Sequence, residues 1–147
     1  MRIILGADHG GFALKEEIEE HLIKLGHDVF DYGVHDGDTS VDYPDYGRPV
    51  AEAVVAGEYD LGVICCGTGI GISLAANKVQ GARAALCTDC YMARMAREHN
   101  NANLLAMGGR VIGPDLAREI VDAFLAAEFQ GGRHERRVGK IMAIEEN

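Results

Sequence analysis

Basic residues are scarce in this sequence relative to acidic ones. Its 147 residues include 14 Lys and Arg against 23 Asp and Glu, which gives a formal net charge of −9. Nucleic acids and anionic membrane surfaces attract proteins through a basic field, so we expect neither of them as a partner. An anionic substrate would need a local cluster of basic side chains that acts against the overall charge.

The sequence also lacks tryptophan, long apolar runs and any linker, repeat or low-complexity segment. No stretch approaches the length of a membrane span. The apolar run after Met1 ends at the acidic residue Asp8 and is therefore too short for a signal peptide or an anchor. We therefore predict a cytoplasmic protein. Residues 1–147 are predicted to form one domain, which at this length buries a core without disulfide bridges.

The four cysteines are expected to be reduced thiols, because a chain of this size does not need bridges. They are Cys65, Cys66, Cys87 and Cys90. The last two form a C-x-x-C between a predicted strand and a predicted helix, which is the setting of a dithiol redox site or of half a zinc site. No second pair at a suitable spacing completes a zinc site, so packing is the preferred interpretation and no metal is predicted.

Short apolar runs alternate five times with amphipathic segments. This pattern predicts a five-stranded parallel sheet in an α/β fold, with helices on both faces and right-handed crossovers. The chain ends in a predicted helical tail at about 131–144. The predicted strands are 2–7, 28–32, 61–64, 82–87 and 104–107, and the other predicted helices are 14–25, 49–57, 70–77, 89–98 and 114–125.

Ligands of open parallel sheets bind where the strands end, near the point at which the strand order reverses. This rule selects residues without reference to their chemistry. The selected segments are 8–9, 66–71, 87–90 and 108–110.

A glycine turn, Cys66-Gly67-Thr68-Gly69-Ile70-Gly71, joins the third predicted strand to its helix. It lacks the last glycine of a dinucleotide fingerprint, the Lys-Ser/Thr pair of a nucleotide-phosphate loop and the arginine of a phosphatase loop. The glycines and the helix N-terminus leave backbone N–H groups free for a small anion or an oxyanion. The alternative is a tight turn that binds nothing.

The two adjacent cysteines are expected to differ. A thiol at a helix N-terminus ionises more readily than an ordinary thiol, so Cys66 is a candidate base or nucleophile. Cys65 lies one residue earlier on a strand, where side chains alternate between the faces, and is expected to point the other way and pack.

Positive charge is concentrated near the end of the chain. Arg133 and Arg137 are four residues apart on the predicted last helix, where two guanidinium groups can converge on one phosphate. A solvated helix face is the alternative. His99 closes the fourth main helix, where a histidine is as often a simple partner of the helix dipole as a functional group.

Six short motifs together resemble the ribose-5-phosphate isomerase B family, which also contains allose- and galactose-6-phosphate isomerases. The resemblance covers nearly the whole chain. The motifs are Asp8-His9-Gly10, Asp42-Tyr43-Pro44, the segment Cys66–Gly71, Ala75-Ala76-Asn77-Lys78, His99-Asn100, and Gly131-Gly132-Arg133-His134 with Arg137.

The resemblance implies a three-layer α/β/α Rossmann-like sandwich that works without a cofactor. It also implies a homodimer, possibly a tetramer, with active sites built from both subunits. In the family, the cysteine that matches Cys66 is the base that moves a proton between C1 and C2, with Thr68 beside it. The match to His99, from the neighbouring subunit, opens the sugar ring, and the matches to Asp8 and Asn100 bind hydroxyl groups.

Another branch of the family carries a glutamate base where this chain has Ile72, so the chain resembles the cysteine branch.

The remaining predicted site residues bind the substrate. The resemblance assigns the phosphate to His9, Arg110, Arg133 and Arg137. The other predicted substrate-binding residues are Tyr43, Gly67, Gly69, Ile70 and Gly71.

The sequence thus predicts an aldose–ketose isomerase that interconverts ribose 5-phosphate and ribulose 5-phosphate through a cis-enediolate. An allose-6-phosphate or galactose-6-phosphate isomerase is the alternative within the same class. A sugar-phosphate sensor without catalysis and a dithiol redox protein are the alternatives from other classes.

Overall fold

A five-stranded, all-parallel sheet lies at the centre of the computed structural model, which describes residues 1–146. The interior strands β1, β3 and β5 are almost wholly buried, as expected of parallel strands that are covered on both faces. In the sheet the strands follow the order β2-β1-β3-β5-β4. They are β1 (Arg2–Ala7), β2 (Asp28–Asp31), β3 (Leu61–Cys66), β4 (Ala84–Leu86) and β5 (Leu104–Gly108).

Helices cover both faces of the sheet, and each face has its own apolar cluster. One cluster packs against α1, α4 and α5 and includes Ile18 and Phe124; the other packs against α2 and α3 and includes Val50 and Ile72. The predicted three-layer α/β/α sandwich is confirmed. The helices are α1 (Phe12–Lys24), α2 (Pro44–Val55), α3 (Ile70–Asn77), α4 (Cys90–Glu98), α5 (Pro114–Ala126) and α6 (Arg133–Ile144).

None of these helices, over residues 1–146, combines the length and the apolarity that crossing a membrane requires.

The second helix begins earlier than the sequence predicts. It was expected to start at Pro49, but α2 starts at Pro44 and keeps Pro49 in its interior. A proline fits the first turn of a helix, because backbone N–H groups there make no hydrogen bond within the helix. The carbonyl of Tyr43 accepts from the N–H of Gly47 at 2.9 Å, which is the first hydrogen bond of this helix. Tyr43 is therefore held at the start of a helix and not in a loose loop.

A buried lysine fastens α1 to the end of β2. Lys15 is 1% exposed, and its Nζ lies 2.7 Å from a carboxylate oxygen of Asp31 and 2.7 Å from one of Glu16. Within residues 1–146, Glu16, Glu19 and Asp31 form the one carboxylate group compact enough to hold a metal ion. The ammonium group of Lys15 binds two of these three carboxylates, those of Glu16 and Asp31.

The sheet has two ends with different neighbours. We call the end at which the strands stop the carboxyl edge, and the end at which they start the amino edge. From β1 the chain passes to β2 on one side, whereas β3 lies on the other side of β1. Strand order therefore reverses between β1 and β3, which is where ligands of such sheets bind at the carboxyl edge.

Two glycines provide a matched test of the packing. A Cβ at Gly11 would overlap the backbone carbonyl of Cys65, whereas a Cβ at Gly139, inside α6, would have no neighbour within 4 Å. We expect Gly11→Ala to lower the free energy of unfolding by about 2 kcal/mol or more, because the backbone must move. Gly139→Ala should raise it by about 0.5–1 kcal/mol through helix propensity. Urea denaturation of both variants checks this, and equal effects would contradict it.

Candidate active site

The loops that follow β1, β3 and β5 form one hydrogen-bonded surface at the carboxyl edge. The strand register places Ala7 beside Cys65 and Cys66 beside Gly108, so the loops start level with one another. The N–H of Asp8 donates to the carbonyl of Cys65 at 3.3 Å, and the N–H of Gly109 donates to the carbonyl of Cys66 at 2.8 Å. The sheet ladder thus continues past the ends of the strands and fixes the loops relative to one another.

Glycines allow these loops to touch through their backbones. A Cβ at Gly10 would lie 3.0 Å from the amide nitrogen of Gly67, and a Cβ at Gly109 would lie 2.6 Å from the carbonyl oxygen of Gly10. The side chain of Arg110 packs against the same turn: its Nη1 would be 2.9 Å from a Cβ at Gly67. A guanidinium group therefore lies directly on the glycine turn.

Cys66 is the last residue of β3 and is only 4% exposed. The N–H of Gly69 donates to its Sγ at 3.1 Å, and the N–H of Ile70 donates to Oγ1 of Thr68 at 3.2 Å. An N–H donor stabilises negative charge on the sulfur. Gly69 makes this turn with a φ of 81°, a conformation that favours glycine.

The other cysteines have different surroundings. Cys65 packs in the opposite apolar cluster, as the alternation of side chains predicts, and burial followed by the nearby Cys66 raises the pKa of its thiol to about 12. Burial and then Asp89 raise the pKa of Cys87 to about 11. Both thiols therefore stay protonated near neutral pH, which favours the packing interpretation of the C-x-x-C that Cys87 forms with Cys90.

Asp8 and His9 directly follow β1 and precede Gly10, which packs against the turn. The buried carboxylate of Asp8 accepts from the N–H of Gly11 at 3.1 Å. The N–H of Val41 donates to Nδ1 of His9 at 3.1 Å. In that bond Nδ1 carries no proton, so the neutral ring has its proton on Nε2, which is then a donor.

Tyr43 covers the other side of the glycine turn. A Cβ at Gly71 would lie 2.6 Å from the ring of Tyr43, so the two residues are in close contact. The early start of α2 places this ring.

The remaining candidates lie at the amino edge. Helix α4 starts after β4 and returns the chain to the start of β5, so His99 and Asn100, which follow α4, lie near that start. Helix α6 packs beside them: the ring of His134 stacks on His99 with centroids 4.0 Å apart. The length of a five-residue strand, about 16 Å, separates this edge from Cys66.

The predicted site residues thus form two groups that one chain does not bring together. The carboxyl-edge group contains Asp8, His9, Tyr43, Cys66, Gly67, Thr68, Gly69, Ile70, Gly71 and Arg110. The amino-edge group contains His99, Asn100, Arg133 and Arg137, of which the two arginines are exposed and one helical turn apart on α6.

Two contacts in these groups escape sequence analysis. The Val41 N–H that orients His9 comes from a residue 32 positions away, and the stack of His134 on His99 joins two helices. No local pattern marks either contact, because both depend on long-range packing.

Comparisons with known proteins identify the family of this chain. The family model described as Ribose/Galactose Isomerase matches residues 3–141. Ribose-5-phosphate isomerase B of Escherichia coli is 50% identical over 145 residues, which cover 99% of this chain and 97% of the relative.

Solved structures extend the similarity to the whole fold. Ribose-5-phosphate isomerase B of Clostridium thermocellum is 62% identical with a TM-score of 0.98, covering 99% of this chain and 98% of that one. The enzyme of the same name from Mycoplasma genitalium, solved with bound ribulose-5-phosphate, is 43% identical with a TM-score of 0.95, covering 99% and 97%. This chain therefore belongs to the ribose/galactose isomerase family.

Proposed function

We propose that this chain is an aldose–ketose isomerase that interconverts ribose 5-phosphate and ribulose 5-phosphate without a cofactor. The observation that carries the proposal is the Sγ of Cys66, which ends β3 inside a glycine turn and accepts from the N–H of Gly69 at 3.1 Å. The substrate is supported by the names of the relatives, one a ribose-5-phosphate isomerase B and one solved with ribulose-5-phosphate.

Cys66 acts as the base for the carbon acid. Its thiolate takes the proton from C2 of the open-chain aldose, the C–H electron pair forms the C1–C2 double bond, and O1 becomes the enediolate oxygen. The thiol then returns a proton to C1, O2 becomes the ketone oxygen, and a proton passes from O2 to O1. A positioned base of this kind contributes about 10²–10⁴ to the rate.

The glycine turn stabilises the enediolate. The backbone N–H groups of Gly67, Thr68 and Gly71 and the hydroxyl of Thr68 are the candidate donors, and one well-aimed donor contributes about 3 kcal/mol. The N–H groups of Gly69 and Ile70 have another task, since they donate to Cys66 and Thr68 and so hold these side chains in place.

Hydrogen-bond donors from both edges bind the phosphate. Nε2 of His9 and the guanidinium group of Arg110 belong to the carboxyl edge, and Arg133 and Arg137 belong to the amino edge. Two guanidinium groups one helical turn apart suit the oxygens of one phosphate.

His99 opens the sugar ring. It takes the proton from the O1 hydroxyl and supplies one to the ring oxygen as the bond from C1 to the ring oxygen breaks. Asp8 and Asn100 bind the sugar hydroxyl groups.

A second copy of the chain completes the site in this proposal. About 16 Å of strand separates the two groups of residues in one chain, so His99 and the two arginines would come from the partner subunit of a homodimer. Ile70 and Leu74, 52% and 62% exposed on α3, lie beside the turn, and exposed apolar side chains of this size often mark an interface. Assembly into a tetramer and a cytoplasmic location stay predictions of the sequence.

The two adjacent cysteines give the first test. We expect Cys66→Ala to lower kcat for ribose 5-phosphate by about 10²–10⁴, because the base is lost. Cys65→Ala is the matched control, since this thiol packs on the other face: its kcat should stay within about twofold while stability falls by about 1 kcal/mol. The assays are ribulose 5-phosphate formation and exchange of the C2 hydrogen with solvent. Unchanged exchange in Cys66→Ala would refute the mechanism.

Mixing two inactive variants tests the shared site. Cys66→Ala and His99→Ala should each be inactive alone. After unfolding and refolding together in equal amounts, half of the dimers are mixed, and each mixed dimer has one site with both residues intact. We expect about a quarter of the wild-type activity, as two-fold symmetry requires. No recovery in dimers shown to be mixed would place both residues in one chain's site.

Six-carbon substrates are the second candidate, because the family description includes galactose isomerases. We expect kcat/KM for ribose 5-phosphate to exceed that for allose 6-phosphate and galactose 6-phosphate by at least about tenfold, the discrimination that one extra group allows. The reverse order would favour the six-carbon function. A thermal shift with ribose 5-phosphate but no turnover of any sugar would instead indicate a sensor.

A further inference from the structure

We propose that His134 is a positioning residue that holds the imidazole of His99 in the orientation needed for ring opening. The proposal rests on the function proposed above, in which His99 opens the sugar ring, and adds a second histidine that does not touch the substrate.

The two rings are stacked almost parallel. Their centroids are 4.0 Å apart and their planes differ by 8°. His134 is only 6% exposed, whereas His99 lies at the end of α4 and is half-buried. The buried ring therefore forms a flat support under the more accessible one.

The segment before α6 fixes this support. The N–H of Gln130 donates to the carbonyl of Glu98 at 3.0 Å, and its side-chain amide donates to the Glu98 carboxylate at 3.2 Å. Gly131 and Gly132 follow with positive φ values of 65° and 59°, which turn the chain into the first turn of α6. The residue just before His99 is thus bonded to the segment that carries His134.

The charges around His134 favour a neutral ring. Burial lowers its pKa, and the positive charges of His99, Arg133 and Arg137 lower it further. A neutral ring in the stack leaves His99 free to accept a proton, whereas a charged ring at 4.0 Å would oppose it.

A purely structural role is the competing explanation. His134 shares the buried face of α6 with Val138, one helical turn later, and could simply help this helix to pack. A test must therefore separate ring opening from stability and from proton transfer at carbon.

The two sugars of the proposed reaction allow that separation. Ribose 5-phosphate is a furanose and must open before C2 reacts. Ribulose 5-phosphate cannot close to a furanose, because the oxygen that would form the ring carries the phosphate. Exchange of its C1 hydrogen with deuterium oxide therefore needs Cys66 but not His99.

Two substitutions of similar size test the stack. His134→Phe keeps a flat ring and His134→Leu removes it, while both fill the space. We expect His134→Leu to lower kcat for ribose 5-phosphate by about tenfold or more, because the His99 ring loses the flat ring on which it stacks. His134→Phe keeps a flat ring and should lower kcat by less than about threefold. C1 exchange of ribulose 5-phosphate should stay within about twofold in both variants. Val138→Ala, the matched control on the same helix face, should lower stability and change neither rate by more than about twofold.

Each contrary result has a distinct meaning. Equal losses in both assays for His134→Leu would show a structural role and overturn the proposal. Equal kcat values for the Phe and Leu variants would show that stacking is not what matters, and would overturn it as well. A wild-type protein that neither converts ribose 5-phosphate nor exchanges ribulose 5-phosphate would refute the proposed function itself.

Discussion

The hydrogen bonds that continue past the ends of β1, β3 and β5 hold the three loops of the carboxyl edge together. They join Asp8 to Cys65 and Gly109 to Cys66, and glycines let the loops approach closely enough to form them. Side chains at these loop positions would push the backbones apart. The thiol of Cys66, the buried carboxylate of Asp8 and the guanidinium of Arg110 are held together by this backbone contact.

The same sheet makes two neighbouring thiols chemically different. Alternation along β3 places Cys65 among one set of apolar side chains, where burial holds its pKa near 12, and turns Cys66 towards the other face. There the N–H of Gly69 reaches its sulfur. A strand that is buried on both faces thus separates a packing cysteine from a candidate base within two residues.

Positive charge is concentrated at two places in an otherwise acidic protein. Arg110 lies on the glycine turn, while Arg133 and Arg137 lie on α6 at the other end of the sheet. In the proposed dimer these two places meet, which concentrates cations at one point despite a net charge of −9 per chain. The stack of His134 on His99 belongs to the same amino-edge unit, so α6 would present a prearranged set of groups to the partner subunit.

The sequence alone determined the five parallel strands, their helical cover and the residues at the strand ends, because apolar periodicity and glycine placement are local signals. It placed the start of α2 at Pro49, since a proline suits both a first turn and, less well, an interior, and local pattern cannot rank Pro44 above it. Only the tertiary structure decided which candidates lie together: His9 takes its orientation from Val41, Tyr43 contacts Gly71, and His99 rests on His134 at the edge opposite Cys66. These contacts join residues far apart in the chain, and it is the packing of helices on the sheet that brings them together.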